Sequence, residues 1–320
     1  MVVSGTAKIT VAGAIAANIH GKNAFKVGHF GDSVSEIELV SPAPGHDPRE
    51  AVGSMGLFGA ITSGRIHLRK VESSSLSVRA STPASWQEHL ALFRENENGS
   101  DYMVGWVDMY NRHGRGLFHS ATYAKEGETL AAEQLRESPL FGLIPRAEAW
   151  RVLKLLNRPS LTRILNAGKY FSARIVSGRN AHRQSLAEFN FLLDALPGWE
   201  RAYPNGLLQL QAFLPKSSAE STFKELQRIQ HERGIVSGLA VLKRHRESRQ
   251  VLPYALDGFS LAMDFSRQVG LQELCDEMAE IVIGAGGRFY MAKDSTLSAD
   301  QYRRSQSQEA LDEFQTQGGL

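Results

Sequence analysis

The residues best placed to do chemistry lie on short β-prone runs in the last third of the chain. Gln209 and Gln211 sit two apart in the apolar run 207–214, so as a strand they share one face while Leu208, Leu210 and Ala212 take the other. Two amides side by side on a sheet face are costly to bury unless something hydrogen-bonds them. Lys243 and Ser260 interrupt two further apolar runs and Lys293 closes a fourth, so five polar side chains can converge on one sugar-sized, hydroxyl-rich ligand. The same residues also suit the solvated face of an antiparallel sheet, where glutamine and lysine serve solubility alone. Near the other end, small side chains dominate from Ala12 to Ala17, and His20, Gly21, Lys22, Asn23, Gly28 and Gly31 follow. Backbone of that composition can lie against a flat ligand. His20 is there either to hydrogen-bond such a ligand or as a structural histidine in a glycine-rich turn.

The elements that must position these residues follow from periodicity. A strand over 207–214 leads to a helix over 217–233, with Phe223, Leu226 and Ile229 inward and Gly234 as its stop. Strands over 235–243 and 259–265, a helix over 271–283 ended by Gly284, and a strand over 288–292 complete a βαββαβ order. That order predicts a ferredoxin-like antiparallel sheet with both helices on one face and the other face free for a ligand. Cys275 falls among Leu271, Leu274 and Met278 at helical spacing and reads as core. Upstream, Ser85 and Glu88 form a capping box for a helix to about residue 95, and a strand is expected over 102–109. Short strands are expected over 8–11, 37–40 and 65–71, and a helix over 185–196. Residues 73–81 fit either a crossing between domains or a strand.

Composition narrows the functional classes. A chain of 320 residues with 42% hydrophobic residues can bury a large core, and its net charge of +2 gives no general affinity for polyanions. The sheet face offers glutamines and lysines rather than exposed aromatics, which argues against nucleic acid. One cysteine excludes an internal disulfide, and no metal site is expected. Neither an apolar run of about 20 residues nor a basic-then-apolar leader is visible, so the expectation is a cytoplasmic chain, with peripheral membrane contact as the open question. That question comes from residues 146–183, where nine bases from Arg146 to Arg183 face the single acid Glu148 and alternate with Trp150, Leu155, Ile164 and Phe171. Such a mixture fits an anionic membrane surface, and it also fits a basic helical pair with its arginines in water. The basic run 242–249 reads as a solvated loop between strands.

Residues 11–31 resemble the second part of the FAD-binding domain of the vanillyl-alcohol oxidase and p-cresol methylhydroxylase superfamily. Within it they are most similar to the decaprenylphosphoryl-ribose oxidase branch, where Gly-Gly-Ala-Ile-Ala-x-Asp-Ile-His-Gly-Lys-Asn is characteristic. Residues 53–62 resemble the family's later glycine-rich flavin turn. Gly206 to Gln211 match a substrate-domain strand, and Gly286 to Asp294 match the strand that returns to the flavin. The resemblance implies an α+β protein with a partial PCMH-type FAD-binding domain over 1–72. A substrate (cap) domain with the ferredoxin-like antiparallel sheet would span 73–285, and a return segment 286–320. It further implies non-covalent FAD held by Gly5, Thr10, Val11, Ala12, Gly13, Ala17, Asn18, Ile19, His20, Ile61 and Tyr290. Lys293, Lys243, Gln211 and Gln209 would line the catalytic pocket, Lys293 stabilising charge on the reduced flavin and Lys243 meeting the substrate's phosphate or ring oxygen.

The implied activity is oxidation of a secondary alcohol of a sugar, most simply a polyprenyl-phosphate-linked pentose on the way to cell-wall arabinan, with an epimerising reductase as partner. A sugar-lactone or alditol oxidase of the same superfamily is the alternative. Departures from the pattern carry their own expectations. The family's Gly-Arg-Gly-x-Ser-Tyr-Gly pyrophosphate loop has no counterpart, residues 41–49 are short, and the family's C-terminal ending is replaced. These differences predict a chain incomplete at both ends, for which a non-catalytic remnant or a subunit is the reading of another class. Phe189 to Asp194 replace an aromatic-rich family motif and Ala262 stands at a pocket position, which predicts a changed pocket.

Overall fold

Side-chain alternation in the last third builds one half of a large antiparallel sheet. The computed structural model describes residues 1–40, 47–125, 148–176, 181–191, 194, 198–250, 252–293 and 295–318. Strands β7 (Leu207–Pro215), β8 (Leu239–His245), β9 (Gly258–Ser266) and β10 (Arg288–Phe289) alternate with helices α7 (Ala219–Glu232) and α8 (Leu271–Gly284) in the expected βαββαβ order. They lie side by side as β10-β7-β9-β8. Upstream, β3 (Ser75–Ser81), α3 (Trp86–Asn96), β4 (Tyr102–Val107), β5 (Gly116–Tyr123) and β6 (His182–Ser185) form a second half of order β4-β5-β3-β6. The halves join where β8 pairs with β4, Val241 opposite Trp106. Joining them buries two strand edges that would otherwise present unpaired backbone groups.

Helices α3, α7 and α8 cover one face of this sheet. Leu208, Leu210, Ala212 and Leu214 of β7 meet Phe223, Leu226, Leu274 and Met278 in the main core, with Cys275 inside it as expected. Each fully buried side chain of this size contributes about 1.5–3 kcal/mol. The Ser85 hydroxyl caps α3 by accepting the Glu88 N–H at 3.2 Å. The opposite face is covered in part by α5 (Pro159–Val176), which follows α4 (Ala149–Leu156). A separate small unit holds α1 (Val11–Ala16), α2 (Ala24–Val27) and the hairpin of β1 (Val34–Val40) with β2 (Ala60–Ile66). The remaining helices are α6 (Leu186–Asn190), α9 (Ala299–Arg304) and α10 (Gln308–Gly318).

Several expectations from the sequence are corrected. No strand forms over 8–11, because Thr10 instead caps α1, its hydroxyl accepting the Gly13 N–H at 3.1 Å. The strand expected over 65–71 ends at Ile66, opposite Val34 where its antiparallel partner β1 begins. Residues 73–81 are not a bare crossing, since Ser75–Ser81 is β3. Strand β5 had no sequence expectation, because Gly116, His119 and Ser120 disturb its alternation. The strand over 288–292 stops at Phe289, so Lys293 lies in a following turn whose N–H bonds to the Tyr290 carbonyl at 3.0 Å. The helix expected over 185–196 is α6 alone, preceded by β6; residues 192, 193 and 195–197 lie outside the described residues. The basic run 242–249 is not all solvated loop, because Arg244 and His245 are buried in β8. Two carboxylates, Asp257 at 2.6 Å and Glu97 at 2.9 Å, make burial of the Arg244 guanidinium tolerable. Arg146, Arg179 and Asp294, noted above, also lie outside the described residues.

Candidate functional site

Cross-strand neighbours in register share a face, so the pairing of β7, β9 and β8 fixes three rows. Phe213, Ser260 and Lys243 form one, Gln211, Ala262 and Val241 the next, and Gln209, Asp264 and Leu239 the third. Gln209, Gln211, Lys243 and Ser260 therefore gather on the face away from the main core, as the sequence implied. Asp264 joins them, and sequence reasoning missed it. Its signal was available, since Ser260, Ala262 and Asp264 alternate with buried Leu261, Met263 and Phe265. The Gln209 side-chain amide donates to Asp264 Oδ1. Burial pushes the Asp264 carboxyl up to about 6, against the opposing pull of that hydrogen bond and of the Lys293 charge. Lys293 is pushed down to about 8 by burial, with Asp264 working in the other direction. Burial, then the charges of Lys293 and Lys22, holds Lys243 well below the usual lysine range. Its ammonium has no acceptor among the described residues.

The polar strip continues into the glycine-rich N-terminal segment. Gln211 bridges two elements, its Oε1 lying 3.2 Å from His20 Nε2 while its amide nitrogen donates to Ser260 Oγ at 2.9 Å. Ser260 Oγ lies 2.8 Å from His245 Nε2, so the chain His20, Gln211, Ser260, His245 is continuous and buried. The amide oxygen can only accept, which makes His20 Nε2 the protonated nitrogen and leaves Nδ1 a buried lone pair without a donor among the described residues. Around these polar atoms the rings close in. The His20 ring lies 5.0 Å from Tyr290 and from His245, and His29 stacks on His245 at 6.1 Å. Burial keeps His20 and His245 well below the usual imidazole range, and neighbouring positive groups deepen the effect.

Two tyrosines fasten the end of α1 to this end of the sheet. Tyr290 Oη donates to the Ala17 carbonyl at 3.0 Å, and Tyr254 Oη donates to that of Asn18 at 2.6 Å. Asn18 itself has φ of 41°; its Oδ1 accepts the Gly31 N–H at 2.8 Å and its Nδ2 donates to Gln250. Of the positions the resemblance marked for a cofactor, Ala17, Asn18, His20 and Tyr290 thus meet at one place. Ile19 and Ile61 pack with Ile15 in the apolar cluster beneath α1. Thr10, Val11, Ala12 and Gly13 form the cap and first turn of α1, with Thr10 and Val11 exposed. Gly5 is half-buried beside Thr6, whose hydroxyl donates to Asp194 at 2.7 Å. Among the described residues no group of three or more His, Cys, Asp or Glu side chains could hold a metal ion.

A comparison with models of known protein families finds no match. Relatives are nevertheless detectable over more than nine tenths of the chain. The chain is 30% identical over 328 aligned residues to decaprenylphosphoryl-β-D-ribose oxidase of Mycolicibacterium smegmatis, covering 94% of this chain and 68% of that protein. The chain belongs to the decaprenylphosphoryl-β-D-ribose oxidase family. It is also 26% identical over 314 residues to an uncharacterized protein encoded in the mprA 5′ region of Streptomyces coelicolor, covering 91% of this chain and 83% of that one. Membership of an oxidase family makes this chain an oxidoreductase and gives the polar sheet face a chemical context.

In this family member the junction between α1 and the sheet depends on a close backbone approach at Gly53. Its φ is 75°, its N–H donates to the Ile15 carbonyl at 3.0 Å, and a Cβ there would come within 2.5 Å of the Gln250 amide. Gly53→Ala is expected to lower stability by about 1–3 kcal/mol, from left-handed strain and the displaced Asn18–Gln250 pair. Thermal unfolding of the variant would reveal it; an unchanged Tm would show that the approach is not needed.

Proposed function

We propose that this oxidase converts the secondary hydroxyl of a sugar, most simply a pentose carried on a polyprenyl phosphate, to a ketone with non-covalent FAD as its cofactor. The substrate named for the Mycolicibacterium relative supports the sugar and its carrier. The observation that carries the reading is the strip Gln209, Asp264, Lys293 and Lys243 running into His20 at the end of the glycine-rich segment. The residues fit a flavin on chemical grounds. Among the described residues His20 Nδ1 is a buried acceptor without a donor, suited to a ribityl hydroxyl or a ring N–H, and Lys243 brings an amine without an acid partner, whose charge a bound anion would restore. Bound flavin supplies the hydride acceptor.

The rest of the chemistry falls to this chain's own side chains. Between pH 6 and 8 Asp264 is ionised while Lys293 keeps its proton, which sets a base on the sheet face against a cation from the turn after β10. Asp264 accepts the proton of the substrate hydroxyl, and Gln209, which hydrogen-bonds it, holds the carboxylate in place. Lys293 stabilises negative charge that develops during the transfer, in a setting where burial strengthens such an interaction. Lys243 binds the phosphate or a ring oxygen. Gln211 has both ends of its amide engaged by His20 and Ser260, so its part is to position those groups.

Titrating the purified chain with FAD and following flavin absorbance and fluorescence tests the cofactor half of this reading. Saturable quenching is expected, weakened about tenfold or more in Lys293→Ala, since a charge-assisted contact is worth roughly 1.5–3 kcal/mol. Flavin spectra that never change on adding the protein would overturn it.

A further inference from the structure

We infer that the outward face of α4 and α5 is a docking surface for an anionic lipid bilayer. The sequence of α5 sets two faces at 100° per residue. Asn166 and Tyr170 turn inward, Asn166 Nδ2 donating to Asp108 at 3.2 Å and Tyr170 packing on Trp106 and Leu117 of the same sheet face that carries the polar strip. Almost opposite, Ile164, Gly168, Phe171 and Ile175 recur at i, i+4, i+7 and i+11 and so form one narrow stripe. Ile164 is 67% exposed, Phe171 53% and Ile175 78%, and Leu155 of α4 adds a further 59%. Single apolar side chains on a surface need no explanation, but a continuous stripe of them does.

What chooses the occupant is charge. Arg163 and Arg174 border the stripe along one side of α5, and Arg151, Lys154 and Arg158 of the α4 segment are exposed too. The one acid on these helices' described residues and caps, Glu148, is already paired with Arg151 at 2.6 Å. An apolar stripe bordered by arginines, without competing carboxylates on these helices, matches the acyl boundary and phosphate layer of an anionic membrane. No described helix is long and apolar enough to cross a bilayer, so the contact is a surface one. The inner side of α5 roofs the sheet face of the candidate site, so docking would set that site beside the lipid that carries the proposed substrate. The inference stands on the helix face alone and needs neither flavin nor sugar.

The test is sedimentation of the whole chain with vesicles of phosphatidylcholine alone or with about one third phosphatidylglycerol. Binding to the anionic vesicles only, reversed as salt shortens the reach of the arginines, is the expected result. The double substitution Ile164→Glu with Ile175→Glu should weaken it about tenfold or more while leaving Tm and circular dichroism unchanged, because both side chains are largely exposed. Arg163→Glu with Arg174→Glu should do the same without touching the stripe. Absence of binding by the unaltered chain, or binding that both variants retain, would overturn the inference. So would a shift from dimer to monomer in the apolar variant without vesicle binding, which would assign the face to a second copy. Since no flavin or sugar enters the assay, failure here leaves the proposed oxidation untouched, and failure of FAD to bind leaves this face untouched.

Discussion

Asp264→Asn is expected to lower kcat/KM for alcohol oxidation by about 10²- to 10⁴-fold, the range that a positioned proton acceptor contributes. The substitution is chosen to isolate chemistry from folding. An asparagine oxygen still accepts the Gln209 amide hydrogen that Asp264 Oδ1 now takes, and removing a buried charge costs the fold nothing in desolvation. The pH profile supplies the readout that a structural role would not move. A carboxylate that must be ionised gives activity rising through about pH 6, and an ammonium that must stay charged gives activity falling through about pH 8. The unaltered enzyme should therefore show a bell, whose limbs are properties of the coupled pair. Asp264→Asn should erase the acidic limb of whatever activity is left, and Lys293→Met should erase the alkaline one. Full activity in Asp264→Asn, or a rising limb that persists in it, would remove Asp264 from the role of base.

That Asp264 had to be found in the structure shows where sequence reasoning reached and where it stopped. The βαββαβ order and the shared face of Gln209 and Gln211 were legible because strand and helix periods are local properties of the chain. The pairing of β8 with β4, which enlarges the sheet to eight strands, joins residues more than 130 apart and leaves no local mark. The same holds for the hydrogen-bonded chain from His20 to His245, which needs four separate segments. Lys293 was recognised from its surrounding residues, but its place in a turn beyond β10 was not, because the strand ends after two residues. His245 was read as part of a solvated basic run, since neighbouring arginines hide the alternation that turns it inward. Tertiary pairing, rather than propensity, decided each of these positions.

Stability is expected to fall steeply as pH drops from 7 to 5, because the fold buries imidazoles that it cannot protonate in place. His29 is pushed down to about 4 and His89 to about 3, in both cases by burial first. Neither ring has a hydrogen-bond partner for either nitrogen among the described residues. The sign follows from proton counts. Below about pH 6.5 the unfolded chain protonates these histidines while the folded chain does not, so acid favours unfolding; the stability they permit is fully present above that pH and is lost as pH falls towards the folded values. Each histidine costs about 1.4 kcal/mol per pH unit in that window, so His29 and His89 together remove about 4 kcal/mol by pH 5. His20 and His245, shifted in the same direction, add to the loss, which becomes a large share of the 5–15 kcal/mol typical of a folded domain. His89 offers the cleanest control, since it lies in α3 against Gly105 and Gly116, in the main core and far from the polar strip in both element and sheet face. His89→Leu, similar in volume and free of unsatisfied nitrogens, should hold or raise Tm at pH 7 and flatten the acid slope by about one proton. Melting curves across this range test both statements. A Tm that stays level from pH 7 to 5, or a slope that His89→Leu leaves unaltered, would mean that these imidazoles find protons or partners when the fold is intact.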